Sequence, residues 1–280
     1  MAKRLLICCL LLVGSSSFLS RLGKAQNGIS VLYSFPPHEL SLHEPVVLTF
    51  TVKNESASSI QLDLGQDRKG EFLLTVKEAN GKRVTLPRYG HEGISIPGIL
   101  TVDAGKQFSQ ELIINEWYAF KTPGKYELEI QFSKPIVMKD TSSQITARGS
   151  HGEITIGPRN VPRLQSLCDH LSKQIESADS YERASNAALE LSYVTDPVAV
   201  PYLERVLISG KMVEKAVVEG LERIADESAI RILIATFQGG PNESSLLARA
   251  ALQHIQTQNV DPRVKMEIEH ALHSPVLPKS

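Results

Sequence analysis

The sequence predicts a multidomain β + α protein, with an antiparallel β-sandwich over residues 26–157 and stacked helical hairpins over residues 158–280. Three observations lead there. Apolar residues recur with a period of two from Ile29 to Ile156 and at three and four after Pro162. Gly157-Pro158-Arg159-Asn160-Val161-Pro162 punctuates the chain between the two patterns. Asp196–Leu207 is answered thirty residues later by Asp226–Phe237, and a repeat of that period signals hairpins that bury their apolar faces on one another.

The N-terminus reads as an export signal. Met1-Ala2-Lys3-Arg4 is basic, Leu5–Val13 is apolar, and Gly14–Ala25 is small and polar, with a cut after Ala25. The apolar run is too short for a bilayer, which needs ~20 residues. An uncleaved anchor is the competing reading. A lipoprotein is disfavoured, because Ile7 precedes Cys8 where a small residue is wanted. The expected location is therefore the bacterial envelope, periplasmic or extracellular, with no membrane insertion once the signal is cleaved. Past residue 25 only Cys168 remains, so no internal disulfide is available. Residues 26–157 carry 13 basic and 15 acidic side chains and residues 158–280 carry 13 and 16. No cluster of lysine or arginine offers the counterion release that nucleic-acid binding needs.

In the β half, Val47-Leu48-Thr49-Phe50-Thr51-Val52 alternates apolar and hydroxyl residues and ends in a turn at Lys53-Asn54-Glu55-Ser56. Further strands are expected at Ile29–Phe35, Ile60–Leu64, Phe72–Lys77, Arg83–Leu86, Ile99–Val102, Phe108–Ile114, Tyr126–Phe132 and Glu153–Ile156. Asn80-Gly81 predicts a tight hairpin. Thr122-Pro123-Gly124-Lys125-Tyr126-Glu127-Leu128 resembles the entry to strand F of immunoglobulin-like domains. That resemblance implies a backward hydrogen bond from Tyr126, with Leu128 in place of the second cysteine. His38–Phe50 is similar to the first strands of bacterial Ig-like modules. Tyr126 and Trp117 are otherwise read as core aromatics.

In the helical half, Leu164, Leu167, Cys168, Leu171 and Ile175 form one apolar stripe, on which Cys168 reads as an inert buried thiol. A second helix is expected over about Ser180–Val194, with Ala184, Ala187, Ala188 and Leu191 on one side. Asp196 suits a helix cap and Pro197 a first turn, and Pro201 fits if the helix proper starts near Val198. Met212–Ala225 buries Val213, Val217, Leu221 and Ile224, Ser244–Thr257 follows Asp226–Phe237, and Pro262–His273 closes the stack. The run Asp196-Pro197-Val198-Ala199-Val200-Pro201-Tyr202-Leu203 resembles the short bacterial form of the HEAT-repeat family. The expected architecture is thus an Ig-like antiparallel β-sandwich followed by an α-helical HEAT-type solenoid. The family often carries an arginine early in the second helix, where this chain has Glu214 and Ser245.

The resemblance implies that the second helices line a concave wall. Aligning Leu189, Leu221 and Leu252 places Asn186, Val218 and Arg249 in one row and Glu190, Glu222 and Gln253 in the next. Such rows suit a protein partner, or are simply solvated helix faces. Glu267, His270 and His273 form an incomplete metal set on the last helix, and no hydrolase, metalloprotease or phosphate-loop motif occurs. The expectation is an exported, non-enzymatic protein-binding scaffold with no cofactor and no metal; the partner's identity and the oligomeric state stay open. One alternative is an inhibitor or accessory factor of a secreted hydrolase, acting through the loop Arg88-Tyr89-Gly90-His91-Glu92-Gly93. The other is a lyase-like HEAT enzyme of the kind that attaches chromophores to proteins.

Overall fold

The computed structural model describes residues 27–36, 38–65, 68–78, 80–86, 98–258 and 261–273, so the expected signal segment lies outside the described residues. A β-rich region is followed by a helical one. The strands are β1 (Ile29–Ser34), β2 (Leu40–Ser41), β3 (Val47–Asn54), β4 (Ile60–Asp63), β5 (Phe72–Lys77), β6 (Arg83–Thr85), β7 (Ile99–Val102), β8 (Gln107–Ile113), β9 (Gly124–Phe132), β10 (Pro135–Met138), β11 (Gln144–Thr146) and β12 (Ser150–Gly157). They form sheets ordered β1-β3-β8, β11-β10-β4-β7 and β2-β12-β9-β5-β6. All pairs are antiparallel except β2 with β12.

Alternation explains the layering. In β3, Leu48, Phe50 and Val52 are buried while Thr49 and Thr51 face outward; in β9, Tyr126, Leu128, Ile130 and Phe132 are buried. Phe50 meets Phe72 at 5.1 Å and Phe132 at 5.5 Å between ring centroids, joining the first sheet to the third across one core. Each such fully buried ring contributes roughly 1.5–3 kcal/mol over exposure. The Tyr126 hydroxyl donates to the Thr122 carbonyl at 2.7 Å. The Asn80-Gly81 turn closes β5 on β6: Gly81 has φ +85°, and Glu78 N–H donates to the Lys82 carbonyl at 2.8 Å. Asn54, the last residue of β3, is buried. Its amide donates to the Ser58 and Val102 carbonyls at 2.8 and 2.9 Å and is committed to the β3–β4 turn.

The helices are α1 (Val161–Ser177), α2 (Tyr181–Ser192), α3 (Val200–Ile208), α4 (Glu214–Ile224), α5 (Glu227–Gln238), α6 (Glu243–Thr257) and α7 (Pro262–His273). Asn160, Ser180, Asp226 and Asn242 each cap a helix by accepting a backbone N–H three residues on. A 3-10 turn at Pro197–Ala199, capped by Asp196, precedes α3, so Pro201 falls in the first turn of α3, where its missing N–H is not needed. Helices α1, α3, α5 and α7 pack in succession in one layer, and α2, α4 and α6 in the other. Their apolar faces form a second core, separate from that of the strands. Cys168 sits in it, fully buried and free of any disulfide, and burial pushes its thiol up to about 12.

Gly220 marks a close approach of α4 to α2. A Cβ there would lie 2.9 Å from Ser192 Cα of α2 and 3.1 Å from Leu203 Cδ2. Gly220→Ala is therefore expected to destabilise by about 1–3 kcal/mol, although alanine is the better helix former. Urea denaturation checks this, and a gain in stability would show that α2 and α4 are looser than described. Among the described residues no helix is long and apolar enough to cross a membrane.

Candidate functional site

The two regions meet through short polar contacts that begin in the turn between β2 and β3. Glu44, only 8 % exposed, accepts the Ser41 N–H at 2.8 Å and a two-pronged bond from Arg163 of α1, at 2.6 and 2.9 Å. Next to it, His43 adopts φ +73°, a conformation that costs a non-glycine residue energy. In that pose its carbonyl accepts the Thr195 N–H at 3.2 Å and its ring lies 3.1 Å from the Thr195 hydroxyl. Ser41 Oγ accepts the Asn160 N–H at 2.8 Å. Asp196, 1 % exposed, takes a fork from Arg159 at 2.5 and 2.9 Å while also capping Val198. The Arg159 hydrogen bonds hold its carboxyl below the usual aspartate range. Such forks match guanidinium to carboxylate in one orientation.

These contacts leave a groove between the first sheet and α2. Glu182, Asn186 and Glu190 recur at every fourth residue on one face of α2, which turns them toward β3 and β8. The groove holds two clefts. One, of about 570 Å³, has apolar walls that include Leu40, Pro45, Val47 and Leu167, with Glu44, Arg163, His38, His170 and Glu190 around them. The other, of about 450 Å³, lies between Thr49, Phe108, Ser109, Gln110 and Glu111 on the strand side and Glu182 and Asn186 on the helix side. Both fall in the size range of ligand pockets. Glu190 is half-buried, and its carboxylate has no hydrogen-bond or ion-pair partner among the described residues. Burial, and then the charges of Glu111 and Glu44, push its carboxyl up to about 7.

Of the residues expected on the concave wall, Asn186 and Glu190 line this groove. Val218 does not belong to any exposed row: it is 2 % exposed. Helix α4 has α2 on one side and α6 on the other, so it buries a wider arc than an end helix. The alignment of α2 on Leu189 is also one residue out. The buried residues that correspond are Ala184, Ala187 and Ala188 in α2, Val217, Gly220 and Leu221 in α4, and Ala248, Ala251 and Leu252 in α6. Ala188, not Leu189, therefore matches Leu221 and Leu252. Glu222 is half-buried and bonded to His254 of α6, while Arg249 and Gln253 are exposed on α6.

The ties between successive hairpins come from positions that the sequence pattern does not flag. Arg205 of α3 bonds Ser172 and Glu176 of α1. Arg223 of α4 donates to the Ser192 carbonyl at 3.3 Å and lies 4.0 Å over the Tyr193 ring. His254 reaches Glu222. The loop Arg88–Gly93 lies outside the described residues. Among the described residues no group of three or more His, Cys, Asp or Glu is placed to hold a metal.

No known protein family and no curated protein matches the chain. Solved structures give distant likenesses. A mutant β-glucosidase from Listeria innocua in complex with laminaribiose is 17 % identical over 49 % of this chain and 17 % of its own, with a TM-score of 0.25. Astrotactin-2, a perforin-like vertebrate membrane protein involved in neuronal development, is 14 % identical over 78 % of this chain and 38 % of its own, with a TM-score of 0.23. AvmM, which catalyses macrocyclization in alchivemycin A biosynthesis, is 10 % identical over 47 % of this chain and 90 % of its own, also at 0.23. The chain thus spans less than two-fifths of the first two. At these scores none of the three bears on its function.

Proposed function

We propose that this chain is an exported, non-enzymatic protein-binding scaffold: an Ig-like sandwich joined to a HEAT-type solenoid, with a partner segment held between them. The observation that carries the reading is the groove itself, bounded by a sheet edge and a helix face. The two-pronged ion pair between Glu44 and Arg163 holds its two sides together. The backward bond of Tyr126 supports the sandwich assignment, and the two-layer packing of α1 to α7 supports the repeat assignment. Arg249 and Gln253 are exposed on α6 and offer a second place to look for a partner. A photo-crosslinking residue at Asn186, and separately at Arg249, tests this in cells that make the protein. A discrete protein adduct from Asn186 is expected, and the absence of any adduct from both positions would refute the reading.

A second reading is carried by Glu190 alone. A carboxyl held near 7 inside a cleft is what a general acid–base enzyme uses. Glu190→Gln would then abolish a hydrolytic activity found on a substrate panel, and a panel on which wild type and variant are equally inert retires it.

A further inference from the structure

The open edge of β8 is the least explained feature of the groove. Sheet order places β8 outermost, beside β3 alone among the described strands. Its pairing with β3 runs without interruption from Gln107 to Ile113. At the two ends, Asn54 N–H donates to the Lys106 carbonyl at 2.9 Å and Ile114 N–H donates to the Val46 carbonyl at 2.8 Å. Even-numbered residues of β8 therefore turn their N–H and C=O groups to β3. By the alternation of an antiparallel strand, Ser109 and Glu111 turn theirs to the free edge.

The side chains divide in the same way. Gln110 and Phe108 stand opposite Phe50 and Val52, on the core side of the sheet, whereas Ser109 and Glu111 stand opposite Thr51 and Thr49, on the outer side. The 450 Å³ cleft is lined from both sides at once, by Phe108 and Gln110 and by Ser109 and Glu111. A cavity that touches both faces of one strand wraps over its edge. On the core side it meets Leu64 and Leu100, and on the outer side Glu111 and Glu182. Gln110 Oε1 is inaccessible to water and accepts no hydrogen bond among the described residues, an arrangement that normally has a partner.

We propose that this edge takes up an extended segment of a partner protein by strand addition, the segment's side chains alternating between apolar and basic. The inference rests on the protein-binding reading above and names the partner's chemistry. Main-chain bonds to Ser109 and Glu111 supply the attachment, as in other strand-adding modules. The apolar side chains enter toward Leu64, Leu100 and Phe108, and the basic ones meet Glu111 and Glu182. An unpaired edge of seven residues would otherwise be an aggregation hazard.

The probe is a capped, labelled peptide of alternating valine and lysine, added to the whole protein. Saturable binding is expected, together with slowed hydrogen exchange at the Ser109 and Glu111 amides and no change at Phe108 and Gln110. Ser109→Pro removes one edge N–H and the exposed hydroxyl contact with Thr51 but no backbone bond to β3, and it should weaken binding at least ~10-fold with at most a small fall in melting temperature. Glu111→Gln with Glu182→Gln should weaken it about five-fold, and a valine–glutamate peptide should not bind. If Ser109→Pro fails to fold, the exchange pattern of the wild type still decides. Peptide bound with protection on even-numbered residues, or with none on β8, overturns strand addition and leaves the groove reading standing. The same holds if the peptide fails to bind while Asn186 still yields a crosslinked partner. Failure of both removes both.

Discussion

Replacing Arg163 with methionine is expected to lower the unfolding free energy by ~2–3 kcal/mol. Glu44 is left nearly buried, with the Ser41 N–H as its one remaining donor among the bonds described. Breaking a fully buried pair this way costs about 3–5 kcal/mol, and the partial exposure of the Arg163 side chain, 37 %, places the effect below that range. A double-mutant cycle with Glu44→Gln separates the pair from its surroundings. The double variant should be closer to wild type than the sum of the singles by at least ~1 kcal/mol, since it leaves no unpaired charge. Strict additivity in urea titrations would mean that the pair does not couple the β and helical regions.

Glu190→Gln is expected to act in the opposite direction, and only above about pH 4.5. The folded carboxyl titrates at about 7 against a reference of 4.5. The folded protein thus binds this proton more tightly than the unfolded chain does. Stability is full below about 4.5, falls as pH rises, and the loss is complete above about 7. At one unit per ~1.4 kcal/mol, the ceiling of that loss is roughly 3 kcal/mol. The glutamine variant cannot ionise, so at pH 8 it should exceed wild type by about 2–3 kcal/mol and at pH 4 match it. Burial sets most of the shift and the charges of Glu111 on β8 and Glu44 before β3 add to it, while Arg163 and His170 on α1 and His38 before β2 line the same cleft. Melting curves across pH check the result, and a variant no more stable than wild type at pH 8 would show that solvent reaches the carboxyl.

These effects sit at a junction that the sequence pattern does not disclose. Strands such as β3 and β9 were legible because one face of each is buried, so apolar and polar residues alternate without a break. Helices α1 and α4 were legible from stripes at three and four. Strands β2, β10 and β11 were not: each has four residues or fewer, and Pro135 opens β10, where a proline ordinarily argues against a strand. The groove was half legible. Asn186 and Glu190 stand out as polar positions on an alanine-rich helix, but only tertiary packing turns them toward Glu111. The partners Glu44 and Arg163 lie 119 positions apart, and nothing in their local sequence distinguishes them from solvated charges. Val218 was misread because a β-branched residue at the margin of a stripe gives no sign that neighbours cover it from both sides.

The central claim is that the sheet and α2 bound a groove of constant width, because the Glu44–Arg163 ion pair and the bonds beside it at Ser41 and His43 lock the two regions together. Electron–electron distance measurements test it most directly, with spin labels on cysteines introduced at Lys125 and Arg249 and with Cys8 and Cys9 changed to serine. The account predicts one narrow distance distribution in the wild-type background that broadens in Arg163→Met. A distribution already broad or multimodal with Arg163 in place would contradict it.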